Sequence, residues 1–95
     1  MIQTRFSVHK VCWVGGHEVR VEKRSLFFTM EYSLIIDGVK RDQLLGTYGT
    51  FVLHGVFDQD QGKVPVEVLI EQRWWSTVFT CKVGGQLVEM QDHAP

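Results

Sequence analysis

Apolar and polar residues alternate along most of the chain. The longest such run is Ser25–Ile36, in which Leu26, Phe28, Met30, Tyr32, Leu34 and Ile36 fall on one side and Ser25, Phe27, Thr29, Glu31, Ser33 and Ile35 on the other. A period of two predicts a strand with one dry face. Asp37-Gly38 follows directly and supplies the positive φ angles of a two-residue type I′ turn, so this strand is expected to fold back on itself. Upstream, Phe6–Val14 carries apolar groups on both faces, which predicts a central strand. Gly15-Gly16 gives a second hairpin signal, and after it Val19 and Val21 are expected to face inward while Glu18, Arg20 and Glu22 face water. The polar segment Lys23-Arg24-Ser25 reads as the connection into the long strand.

Downstream of Asp37-Gly38, Val39–Asp42 is expected to pair back only briefly, and Gln43–Thr50 to be irregular with room for one helical turn. Thr50–His54 reads as a strand running toward Phe57, broken or bulged at Gly55. Asp58–Lys63 is the most polar stretch and predicts an exposed loop. Val64, Val66, Val68 and Ile70 share one face of the next strand, whose start Pro65 confines to a sheet edge or a strand end. Thr77–Val83 alternates again, Gly84-Gly85 turns it into Gln86–Met90, and 91–95 reads as a flexible polar tail. The segments Cys12–Val19 and Cys81–Val88 share the pattern C-x-V-G-G-x-x-V, which two hairpins with the same turn geometry explain more plainly than duplication. No window keeps apolar residues at helical spacing. The pattern therefore predicts one all-β domain over residues 1–95, an antiparallel β-sandwich or small barrel of seven to eight strands built from hairpins. Its expected core is Trp13, Phe28, Tyr32, Leu34, Ile36, Val66, Val68, Phe79 and Cys81, where truncating Phe28 or Leu34 to Ala is expected to cost roughly 2 to 5 kcal/mol.

Composition narrows the function class. At 95 residues and 44% hydrophobic the chain suits a single domain, and a net charge of -1 with a pI near 6.4 argues against nucleic acid or an anionic membrane as partner. No run resembles a signal peptide or approaches the roughly 18 apolar residues of a membrane span, so a cytoplasmic protein is expected. Two cysteines, Cys12 and Cys81, are too few for a disulfide framework or a zinc site and read as buried thiols.

No catalytic, cofactor-binding or metal-ligating residue is expected from the sequence. His9, His17, His54 and His93 have no spacing that brings two onto one strand face with a carboxylate. The double glycines sit between strands, whereas a phosphate cradle needs a helix amino terminus. Cys12 would need His9 or His54 as a base to act as a nucleophile, and its place among Phe6 and Val8 favours a packed thiol. Glu67, Glu71 and Glu89 read as the solvent face of amphipathic strands.

Arg73-Trp74-Trp75 is different. Adjacent strand residues face opposite ways, so a regular strand sends at most one indole inward; if Gln72–Ser76 is a turn, both stand at a hairpin tip. Packing within the monomer, against Tyr48 or Pro65, is the competing reading. Trp beside Arg is the pairing enriched at binding hot spots, so Arg73, Trp74 and Trp75, with Tyr48 and His54, form the candidate interaction surface. Its expected occupant is another protein or a second copy of the chain. A small apolar ligand held in a barrel, and an enzyme site assembled only in three dimensions, are the alternatives.

Val52-Leu53-His54, Val68–Glu71 and Cys81–Glu89, together with Trp13, the turn after it and Tyr32–Lys40, resemble the Fas apoptotic inhibitory molecule family. The resemblance covers most of the chain in the order strand, hairpin, strand, hairpin. It implies a non-catalytic, cytosolic all-β domain that works by contacting other proteins, and carries over no catalytic or cofactor residue. The chain lacks that family's longer, loop-rich first half, which implies one small domain in place of a larger arrangement.

Overall fold

The computed structural model describes residues 7–60 and 62–92. Over them the chain is all-β, with nine antiparallel strands in two sheets that face each other as a sandwich. Strands β1 (Ser7–Val14), β2 (His17–Ser25), β3 (Met30–Ile36) and β4 (Val39–Gly46) form a meander. The chain then crosses to the second sheet, where β5 (Gly49–Gln59), β6 (Gly62–Gln72), β7 (Thr77–Val83) and β8 (Gln86–Val88) form another. Finally β9 (Gln91–Asp92) returns to the first sheet, giving the orders β4-β3-β2-β1-β9 and β5-β6-β7-β8.

The inner faces follow from the alternation. Val19, Val21, Tyr32, Leu34 and Ile36 from the first sheet meet Leu53, Val66, Val68, Ile70 and Cys81 from the second, each at most 1% exposed. Phe79 is half-buried against this cluster. Gly55 lies in an unbroken β5, opposite Val66, where an added Cβ would meet Leu34 and Ile36 at 3.0 Å. Close approach of β3, and not a bulge, explains that glycine. Pro65 is not at a sheet edge or strand end: it sits inside β6, one residue beyond the Val66–Val83 rung that ends the β6–β7 ladder, where its carbonyl accepts from the Gly84 N–H and β7 turns away from its missing donor.

Several expectations are corrected. The strand count rises to nine because Gln91 and Asp92, read as the start of a tail, pair with Val11 and Lys10; residues 93–95 lie outside the described ones, as does Phe6. Gln43–Thr50 contains no helical turn: β4 runs on through Gly46, and Thr47-Tyr48 alone separate it from β5. Lys23-Arg24-Ser25 belongs to β2, paired with Tyr32, Glu31 and Met30, so the connection falls three residues later, at Leu26–Thr29. Phe28 is consequently 81% exposed and not in the core. Trp13 is 66% exposed, because Cys12 takes the inner position opposite Val19 and its neighbour must point outward. The strand carrying it, β1, is not central, being bounded on one side only by the two-residue β9.

Alternate connections fall at opposite ends of the sandwich. At one end are the turns Gly15-Gly16, Asp37-Gly38 and Gly84-Gly85, each a pair of positive φ angles (53° and 81° at Asp37-Gly38) as the sequence predicts. At the other are Leu26–Thr29, Thr47-Tyr48 and Arg73–Ser76, drawn together by hydrogen bonds from Thr29 Oγ1 to the Gly46 carbonyl (3.0 Å) and from Lys23 Nζ across the sheets to Thr77 Oγ1 (2.7 Å).

Candidate functional site

The second of these ends carries most of the exposed aromatic residues; Trp13 lies in β1 beside the Gly15-Gly16 turn. Leu26 donates its N–H to the Thr29 carbonyl (2.7 Å) and Arg73 donates to the Ser76 carbonyl (2.8 Å), so each hairpin closes around two tip residues, Phe27-Phe28 and Trp74-Trp75. Tips point away from both sheets, and these four side chains are 88%, 81%, 77% and 95% exposed. Tyr48, in the β4–β5 connection, is 56% exposed and lies 5.1 Å from Trp74 between ring centroids; Phe27 and Phe28 lie 4.3 Å apart. Three connections thus place five large aromatic side chains at one end.

A buried polar network fixes the tryptophan hairpin. The Gln72 side chain, 6% exposed, accepts from Tyr32 Oη (2.6 Å) and Thr77 Oγ1 (2.7 Å) at its Oε1, and donates from Nε2 to the Arg73 and Ser76 carbonyls (2.8 and 3.4 Å). All the capacity of the amide is used, as burial requires. Burial raises the Tyr32 phenol to about 12, which keeps it a donor throughout the ordinary pH range. Burial also lowers the Lys23 ammonium, which reaches Thr77 between the sheets.

Of the sequence-predicted surface residues, Arg73, Trp74, Trp75 and Tyr48 come together, Arg73 with Glu71 at 3.8 Å. The hairpin-tip geometry is the one found, with the Tyr48 contact as its anchor within the chain. His54 does not join them: it lies on the outer side of β5, roughly 17 Å along the strand from Gly49, with its N–H donating to Asp42 Oδ2 (2.8 Å). Phe27 and Phe28 are the functional candidates that the sequence pattern hid. Their turn contains no Gly, Pro, Asn or Asp, so the run passed for a strand; two adjacent phenylalanines after a polar segment were the available signal.

The opposite end is polar. His17 Nδ1 lies 2.6 Å from Asp37 Oδ2, whose partner oxygen accepts the Glu18 N–H (2.9 Å); both contacts, the histidine's first, hold the Asp37 carboxyl below its usual range. His17 also stacks on Phe57 at 4.3 Å. An open cleft of about 550 Å³ lies beside it, lined by Gly15, His17, Asp58, Gln59, Asp60 and Lys63. Among the described residues, no group of three or more His, Cys, Asp or Glu side chains is placed to hold a metal ion.

Inside, Cys12 and Cys81 are free, buried thiols that meet across the two sheets; the contact lowers Cys12, and together with burial it pushes Cys81 up. Neither histidine serves Cys12. His9 is on the opposite face of β1, 3.4 Å from Glu22, and His54 is on the outside of the other sheet. The shared C-x-V-G-G-x-x-V pattern corresponds to two hairpins of equal register, Cys12 opposite Val19 and Cys81 opposite Val88.

No protein-family model matches the chain, and no curated protein or solved structure matches it.

Proposed function

We propose that the chain is a non-catalytic, cytoplasmic protein-contact module that binds its partner through the aromatic end. The observation that carries this reading is the exposure of Phe27, Phe28, Tyr48, Trp74 and Trp75 together, on three connections, two of which are closed by their own backbone hydrogen bonds. Water is a poor environment for such side chains, and burying one removes on the order of 150 to 250 Å² of surface from it. Trp, Tyr and Arg are the residues on which binding energy concentrates, and Arg73 stands at the base of the tryptophan tip. The resemblance to the Fas apoptotic inhibitory molecule family points to the same class. A ligand barrel draws less support, because the two inner faces interdigitate and the cleft beside His17 is polar and open. Among the described residues no helix is long and apolar enough to cross a membrane.

The test compares the wild type with the double variant Trp74→Ser, Trp75→Ser as immobilised bait, after circular dichroism shows that both are folded. Proteins retained by the wild type should be lost from the variant and recovered in a Trp74→Tyr, Trp75→Tyr variant. Identical retention by wild type and serine variant would refute the assignment of the contact surface.

A further inference from the structure

We infer that the outer edge of β7 pairs with the same edge of a second copy of the chain, joining two four-stranded sheets into one. Edge strands present unpaired backbone donors and acceptors, and proteins block them with charge, bulges or coverage. Three edges here carry such protection along part of their length. Along β4 run Lys40, Arg41 and Asp42, with a shift in register between Leu34 and Ile35. On β5 the His54 N–H is taken by the Asp42 carboxylate. On β1 the strand β9 covers Lys10 and Val11, reinforced by Lys10 and Asp92 at 2.7 Å.

On β7, the short strand β8 covers only Cys81–Val83. Among the described residues nothing pairs with the outer edge of 77–80, and Ser76–Thr80 reads Ser-Thr-Val-Phe-Thr, without charge, Gly or Pro. Such a stretch has high strand propensity and none of the usual protection.

Geometry admits a second copy and fixes its register. Two antiparallel copies of one strand are related by a twofold axis normal to the sheet, which preserves its faces, and directly opposed residues share a face. The axis must therefore pass through a residue. Centred on Phe79 it would set Thr77 against Cys81, where Val88 already sits. Centred on Val78 it opposes Val78 with Val78 and Thr77 with Phe79, ends at Ser76 with Thr80, and stops one residue short of β8. Val78 is 40% exposed on the outer face, free to meet its mate.

This names a partner for the contact module while using a different surface, so the two readings fail separately: the Trp74→Ser, Trp75→Ser variant keeps the β7 edge and is expected to dimerise. Light scattering on size-separated wild type should give a mass rising from 11.0 kDa toward twice that value with concentration. Val78→Lys, which opposes two lysines whose Cβ atoms lie about 5 Å apart at the axis, should hold the mass at 11.0 kDa with an unchanged circular dichroism spectrum. If that variant fails to fold, Val78→Cys keeps the question open to test: under a mild thiol oxidant it should form a covalent dimer far faster than Leu45→Cys, exposed on β4. A wild type monomeric at every concentration, a folded Val78→Lys that associates like the wild type, or equal cross-linking of the two cysteine variants overturns the inference.

Discussion

The two ends of the sandwich are turned by different means. At the glycine end, the three tight turns run through positive φ, and backbone geometry dictates the residues: Gly15-Gly16, Asp37-Gly38 and Gly84-Gly85. At the aromatic end the hairpin tips Phe27-Phe28 and Trp74-Trp75 have no positive φ, since among the described residues Asp37 is the only non-glycine that adopts one. Nothing in the backbone demands phenylalanine or tryptophan there, and the side chains stand in water. One end is thus explained by folding and the other is not. That difference, more than the presence of tryptophan, is why the aromatic end reads as a contact surface.

Mutations distinguish the two ends. The largest contrast lies within β3 and the turn before it. Leu34→Ala should lower stability in denaturant by roughly 2 to 5 kcal/mol because its site is fully buried, whereas Phe28→Ala should stay within about 0.5 kcal/mol. Equal losses would put Phe28 back in the core. High pH gives the next effect. The folded Tyr32 phenol titrates about two units above its unfolded value of 10.0, so its contribution is complete below pH 10 and is lost as pH rises through 12, by roughly 2 to 3 kcal/mol. A Tyr32→Phe variant should lack that alkaline step.

Gln72→Ala strands the Tyr32 and Thr77 hydroxyls and the Arg73 carbonyl, for roughly 1 to 3 kcal/mol, and should shift the fluorescence of the tryptophan hairpin as well as the denaturant midpoint. At the glycine end, Gly85→Ala meets no atom within 4 Å and costs only its left-handed conformation, about 1 to 2 kcal/mol. The smallest effect is at Asp37. Its carboxyl titrates low in the folded state, so its stabilisation is present above the unfolded value and fades as acid protonates it. Titration followed by nuclear magnetic resonance should show the low value rising toward normal in His17→Ala.

The same contrast decides what the sequence made legible. The all-β antiparallel class, the three glycine-end turns and the inward set Val19, Val21, Tyr32, Leu34 and Ile36 were readable because alternation and positive-φ chemistry are local, whereas sandwich and barrel share that pattern. The aromatic end was half readable. Trp74-Trp75 drew notice because a strand cannot bury two neighbours on one face, yet Phe27 and Phe28 fitted an alternating run and were assigned to it. Their turn is set by tertiary pairing, with Lys23 placed opposite Tyr32 and tied to Thr77, which no window of the sequence contains. His54 is separated from Tyr48, close to it in sequence, by the length of an extended strand.

The central claim is that the aromatic end serves contact and not folding, and denaturant unfolding of Phe27→Ser, Phe28→Ser, Trp74→Ser, Trp75→Ser tests it most directly. The account predicts a folded quadruple variant whose stability lies within about 2 kcal/mol of the wild type, about 0.5 kcal/mol for each exposed position. A loss well beyond that, or a chain that no longer unfolds cooperatively, would show that these rings belong to the structure of the monomer and would contradict it.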